Sequence, residues 1–265
     1  MIRTLLLSTA AILAACAPAS AENTSMSDNM SKDSMSSSAT AAYADVLARH
    51  ITPGPDGITL FDYAGVAGTA DHRAIEAFIA EQTALTPSTF SEPEALAYWA
   101  NLYNAVTLDV VLDEYPIKSI REFGLLNNGP WDRKLITVEG EEMSLNDIEH
   151  GTMREKYPTP YIHYMVNCAS IGCPNLMDRL WSADTLEADK RAAARAYINS
   201  DRGLDFNGRT LSVSKIYKWY SDDFGSKDDL RAHLATYATG EKLQALQSGK
   251  PFKGSHYDWD LNQAK

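Results

Sequence analysis

Cysteine is scarce in this chain: three among 265 residues, at positions 16, 168 and 173. That scarcity excludes a disulfide-dense secreted scaffold. The lack of any paired CxxC or any HExxH string excludes the commonest zinc frameworks. Long apolar runs are also missing. The run that opens the chain, Leu5 to Ala15, falls well short of the ~20 residues a membrane-spanning helix needs. Positive charge is under-represented: 24 Lys and Arg face 35 Asp and Glu, leaving a formal charge of −11. A surface this acidic repels phosphates, which argues against nucleic acid and anionic lipid headgroups as partners.

What the first residues do contain is a leader pattern. Arg3 precedes the apolar run, which ends in Leu13-Ala14-Ala15-Cys16, a string similar to a bacterial lipobox. The expectation is export, with a signal segment over residues 1–15 and lipid attached at Cys16. Cleavage after Ala21 (a signal over 1–21) is the alternative, since Ala19-Ser20-Ala21 also satisfies the small-residue rule. Localisation follows as periplasm or outer membrane, with membrane contact only through the anchor. Asn23 to Thr40 holds no aromatic or β-branched aliphatic residue, so residues 16–40 are expected to form a disordered tether, reaching about 25–30 Å as a flexible coil.

Residues 41–265 are long enough for one core. Ser91-Glu92-Pro93-Glu94 predicts a helix start, with a capping hydroxyl, proline in the first turn and acids beside it. The helix runs to about Glu114, ahead of Pro116, and is apolar on most sides, which predicts a central buried helix. Asp71–Thr83, Ser144–Glu155, Thr185–Asn199, Tyr217–Phe224 and Asp228–Ala238 also read as helices. Hairpins are predicted at Arg133–Glu142, turning on Glu139-Gly140, and at Leu204–Val213, turning on Asn207-Gly208. Tyr161–Asn167 reads as a buried strand, and Tyr257-Asp258-Trp259-Asp260 as an aromatic segment packed back on the body. The fold class is therefore α+β: a single helix-rich domain with short antiparallel strands.

Three segments place polar residues where a core prefers apolar ones. Asn101 and Asn104 share a face of the central helix, either tying down a loop or orienting a catalytic group. Glu149 sits inward beside Leu145 and Ile148 and needs a partner; His150 lies about 100° further round. His163 and Cys168 lie five residues apart, ahead of the turn Ser170-Ile171-Gly172-Cys173-Pro174. Three chemistries fit the cysteines. One is a Cys168–Cys173 disulfide, the default in an oxidising envelope. The second is a Cys168 thiolate activated by the amides of the turn, and the third is a metal site.

The stretches Tyr98–Ala105, Ser144–His150, Ile162–Pro174 and Tyr257–Asn262 resemble, in order, the family known as domain of unknown function 547. The resemblance implies a shared site at Asn101, Asn104, Glu149, His163 and Cys168. It also implies that Cys173 is less fixed, which counts against an obligatory disulfide. It supplies no reaction. The leading expectation is a thiol-dependent hydrolase or acyl transferase that needs no cofactor. Cys168 would be the nucleophile and His163 the base, with His150 as second choice. Glu149 would orient the base, and Asn101 or Asn104 would donate to an oxyanion. Substrates would be small molecules, peptides or peptidoglycan stems. The alternatives are a non-catalytic binding or scaffold domain with a Cys168–Cys173 disulfide, and a metal site at His163, Cys168 and Glu149.

Overall fold

A computed structural model describes the backbone of residues 25–123 and 129–264, with side chains from residue 38. The expected signal segment and Cys16 lie outside the described residues. The chain divides into Met1–Met35 and Ser36–Lys265. Helix α1 spans Ser25–His50. Its downstream turns are fixed by Tyr43, Val46 and Leu47, all buried, and extending a helix already nucleated costs little.

Strands β1 (Ile51–Pro53) and β2 (Thr59–Phe61) pair antiparallel. They lead into α2 (Tyr63–Val66), α3 (Ala70–Thr83) and α4 (Glu92–Glu114). Ser91 and Glu94 close a capping box at the expected start of α4, with Pro93 in its first turn. Nearly every α4 side chain from Ala95 to Leu112 is buried. One side of the helix packs Leu96, Tyr103 and Val106 against Leu145, Ile148 and Ile162. Another packs Ala105, Leu108 and Val111 against Phe61, Tyr63, Ile75 and Phe78.

The hairpin of β3 (Ile136–Val138) and β4 (Glu141–Met143) turns where expected, with φ of 50° at Glu139 and 85° at Gly140. Helix α5 (Leu145–Ile148), boxed by Ser144 and Asp147, passes directly into a π turn over Glu149–Arg154. The sequence reading fails at Tyr161–Asn167. Ile162–Met165 is a short helix, α6, and not a strand. All four of its side chains are buried, and a run that is apolar on every side carries no period to separate helix from strand.

Helix α7 (Leu186–Asn199) precedes β5 (Leu204–Phe206) and β6 (Leu211–Ser214), joined at Asn207-Gly208. The helix expected at Tyr217–Phe224 divides into α8 (Ile216–Trp219) and α9 (Ser221–Phe224). Helix α10 (Lys227–Tyr237) follows, then two elements the pattern did not reveal, α11 (Gly240–Gln247) and β7 (Phe252–His256). Strand β7 lies parallel to β6, whereas only antiparallel pairs were expected. From Ser36 onward the chain is one α+β domain, helix-rich around α4.

A pH dependence follows from α10. His233 is half-buried, bonded to the Tyr164 hydroxyl at 2.8 Å, and burial pushes its imidazole down from 6.5 to about 4. Below pH 6.5 the unfolded chain takes up a proton that the folded one refuses, so stability falls as pH drops from 6.5 towards 4. Melting temperatures measured across that window should fall less steeply in His233→Phe than in the parent protein.

Candidate active site

The elements around α4 leave a pocket of about 370 Å³. Tyr103 of α4, Glu149 of the π turn and His163 of α6 form its floor, Cys168 and Cys173 one side, and Trp131, Trp219, Tyr220, Tyr257 and Trp259 the walls. Glu149 opens the π turn and is buried there; single π turns of this kind often mark functional sites. Trp219 packs at 4.8 Å from Tyr257 and 5.6 Å from Trp259, and is the one large apolar side chain left exposed among the described residues.

The His163 ring stacks on Tyr220 at 3.9 Å. Its Nε2 lies 2.6 Å from Asp223 Oδ2, and Asp223 is also gripped by Arg154 through bonds of 2.6 and 3.0 Å. On the opposite edge Nδ1 lies 3.7 Å from Glu149 Oε1, too far for a hydrogen bond, and has no other partner although it is buried. Burial pushes the Glu149 carboxyl up, but His163, the charge of His150 and the Tyr220 hydroxyl together hold it below the ordinary carboxylate range. Asp223 behaves alike: burial raises it, and Arg154 and His163 more than offset that. Of these two carboxylates Glu149 lines the pocket, whereas Asp223 lines the neighbouring cleft with Arg154 and His150; Asp132 lines the rim, and neither Lys nor Arg lines the pocket.

Cys168 and Cys173 are joined by a disulfide. Asn167 shapes the turn between them: its side chain accepts from Ala169 N at 2.8 Å and donates to Pro174 O at 2.7 Å, holding Ala169 at φ 59°. The Tyr257 hydroxyl lies 3.0 Å from each sulfur, and residues 258–260 bond along the turn through Gly172 N to Asp258 O and Ile171 N to Asp260 O, both 2.8 Å.

Of the residues predicted from sequence, Glu149, His163, Cys168 and Cys173 line one pocket. The nucleophile–base pair does not form. The sulfur contacts of Cys168 are Cys173, Ser170 and Tyr257, while His163 is held between two carboxylates. A sulfur in a disulfide is neither a nucleophile nor a metal thiolate. His150 lies outside the pocket, its Nδ1 at 3.1 Å from Arg154. Asn101 and Asn104 do not line it either. Asn101 exchanges two 2.9 Å bonds with the backbone of Trp181, and Asn104 clamps Met165 O and Asn167 N. Among the described residues, the one convergence of three metal-type donors is His72, Glu76 and Asp109, away from this pocket.

Asp223, Tyr220 and the tryptophans were missed. The aromatic density of Tyr257-Asp258-Trp259-Asp260 signalled packing, and its alternating acids and rings carried no sign of which face is open. No curated protein and no solved structure matches the chain. Residues 87–198 match the family model described as protein of unknown function, DUF547. The floor of the pocket and both cysteines fall inside that segment, and Trp219, Asp223, Tyr257 and Trp259 fall beyond it. The similarity to the DUF547 family thus extends over residues 87–198.

Proposed function

We propose that this domain binds a small molecule or peptide end bearing a primary ammonium or guanidinium group, and that it does so without catalysing a hydrolysis. One observation carries the reading: His163 Nδ1 and Glu149 Oε1, 3.7 Å apart, face each other with no donor between them. With the Nε2 proton directed at Asp223, Nδ1 is a buried acceptor without a donor, which costs about 1–3 kcal/mol, and the Glu149 carboxylate, already bonded by the Tyr220 hydroxyl, has room to accept another donor. A ligand N–H between them satisfies both. The aromatic walls favour a cation by about 0.5–2 kcal/mol, and neither Lys nor Arg lines the pocket beside Glu149. The thiol hydrolase or acyl-transferase reading lacks its nucleophile while Cys168 is bonded to Cys173.

The leader pattern supports a site of action outside the cytoplasm, with Cys16 as lipid attachment point. Peptides and peptidoglycan stems, which carry free amines, are the natural ligand class there. Tryptophan fluorescence tests the binding, because three tryptophans line the pocket. Titration with a short alkylamine should quench emission, its trimethylammonium analogue should bind more weakly for want of N–H groups, and the matching carboxylate should not bind. Glu149→Gln should weaken the amine about tenfold or more. Equal affinity for amine and carboxylate, or an unchanged Glu149→Gln, would remove this reading.

A further inference from the structure

The Cys168–Cys173 pair is surrounded by groups that a purely structural disulfide does not need. Disulfide sulfurs are weak hydrogen-bond acceptors. Yet Cys168 N–H points at Cys173 Sγ from 3.0 Å, and the Tyr257 hydroxyl and Ser170 Oγ lie 3.0 and 3.4 Å from both sulfurs, so the N–H is what sets Cys173 apart. Arg202 donates to the carbonyl oxygens of Ile171 and Cys173 and to Asn175 Oδ1, and it has no carboxylate partner among the described residues. Its guanidinium lies over the Tyr197 ring, 5.6 Å from the centroid. These groups match a different sulfur species, a Cys173 thiolate, which would accept the three donors in a turn held by a buried cation. The two sulfurs are also unequal in access. Cys173 is 3 % exposed, whereas Cys168 is only partly buried, and the pocket opens on it.

We infer that the Cys168–Cys173 disulfide is exchange-active towards low-molecular-weight thiols entering the pocket, with Cys168 the sulfur attacked and Cys173 the leaving group. The thiolate of the incoming thiol forms a bond to Cys168 Sγ as the Cys168–Cys173 bond breaks, and the electron pair leaves on Cys173 Sγ. There it is stabilised by Cys168 N–H, Tyr257 O–H and Ser170 O–H. A second thiol then attacks the mixed disulfide, releasing the oxidised small-molecule disulfide and leaving both cysteines reduced. Two thiols lose two electrons and the protein disulfide gains them. The pocket's volume, about 370 Å³, is near the lower end of small-ligand sites and suits a small thiol rather than the cysteine of a folded protein. One refinement rests on the cation-binding reading above: an aminothiol should react faster than an anionic thiol.

The test uses the intact, folded, oxidised protein with cysteamine, 2-mercaptoethanol and mercaptoacetate, each at matched thiolate concentration, followed by acid quench and peptide mass mapping. The expected adduct is on Cys168, with Cys173 free. Cysteamine should react about tenfold faster than mercaptoacetate, and Tyr257→Phe should slow all three about tenfold by removing one donor from the leaving thiolate. Adducts mapping to Cys173, or a folded protein that resists thiols which readily reduce the urea-unfolded chain, would overturn the exchange proposal. Equal rates for the three thiols would leave exchange standing and sink the cation-binding reading instead. The adduct position is read on the unaltered protein, so it decides the matter even where Tyr257→Phe fails to fold.

Discussion

Asn104→Leu is expected to lower the unfolding free energy by about 2–4 kcal/mol. Asn104 is 4 % exposed, and its amide donates to Met165 O at 3.0 Å while accepting from Asn167 N at 2.8 Å. Leucine fills a similar volume but leaves a carbonyl and an N–H facing an apolar wall. Each stranded group carries the full cost of losing water without gaining a partner. The two bonded groups flank the end of α6, so the loss also loosens the segment that carries His163 on one side and Cys168 on the other. Amine affinity should therefore fall together with stability. Asn101→Leu should cost less, because its partner Trp181 is tied at a site that water partly reaches. Urea unfolding of the two variants checks the order. A loss below about 0.5 kcal/mol for Asn104→Leu would mean that water already serves these groups.

Gly172→Ala should lose ligand binding by tenfold or more and cost about 1–3 kcal/mol of stability. The reason is space and not backbone conformation. A methyl group there would meet Asp258 O at 2.8 Å, Asp258 N at 2.9 Å and Tyr257 Cδ2 at 2.9 Å. Two of those atoms are backbone and cannot rotate aside, so the 257–260 segment has to move off the turn. It takes with it the Gly172 N to Asp258 O bond and the Tyr257 and Trp259 walls of the pocket. Tryptophan emission of the free protein should shift as Trp259 and Trp219 separate. If emission and amine affinity stayed at parental values, the pocket wall would have to be supported in some other way.

The parts of this fold that could be read from sequence are those whose signals are local. Ser91 with Glu94, Ser144 with Asp147, and the glycines at 140 and 208 each fix a boundary by chemistry within four residues, and each boundary stands. The α6 segment could not be read, because Ile162, His163, Tyr164 and Met165 are buried on every side and show no period. Nor could β7, where Phe252-Lys253-Gly254-Ser255-His256 lacks alternation and is held by its parallel neighbour β6. The site divides in the same way. Inward Glu149, His163 and Cys168 were legible as polar residues in apolar surroundings, and they do meet. Asn101 and Asn104 gave the same signal for a different cause, the need to terminate loops. Asp223 gave none, since a carboxylate beside Ser221 and Asp222 reads as an ordinary helix start until the fold delivers Arg154 and His163 to it.

The docking of residues 257–262 also sets an order of assembly. Asn262 bonds to the Tyr63 hydroxyl and to Phe61 N, nearly two hundred positions upstream, so this closure spans most of the polypeptide. The two cysteines are separated by five positions and need no such journey. Oxidation of the pair can therefore precede closure, while the thiols still face open solvent and any oxidant. Once Tyr257 swings over the sulfurs, traffic to them narrows to whatever fits through the aromatic mouth. A chain interrupted before that segment would carry an oxidised turn but no chamber around it.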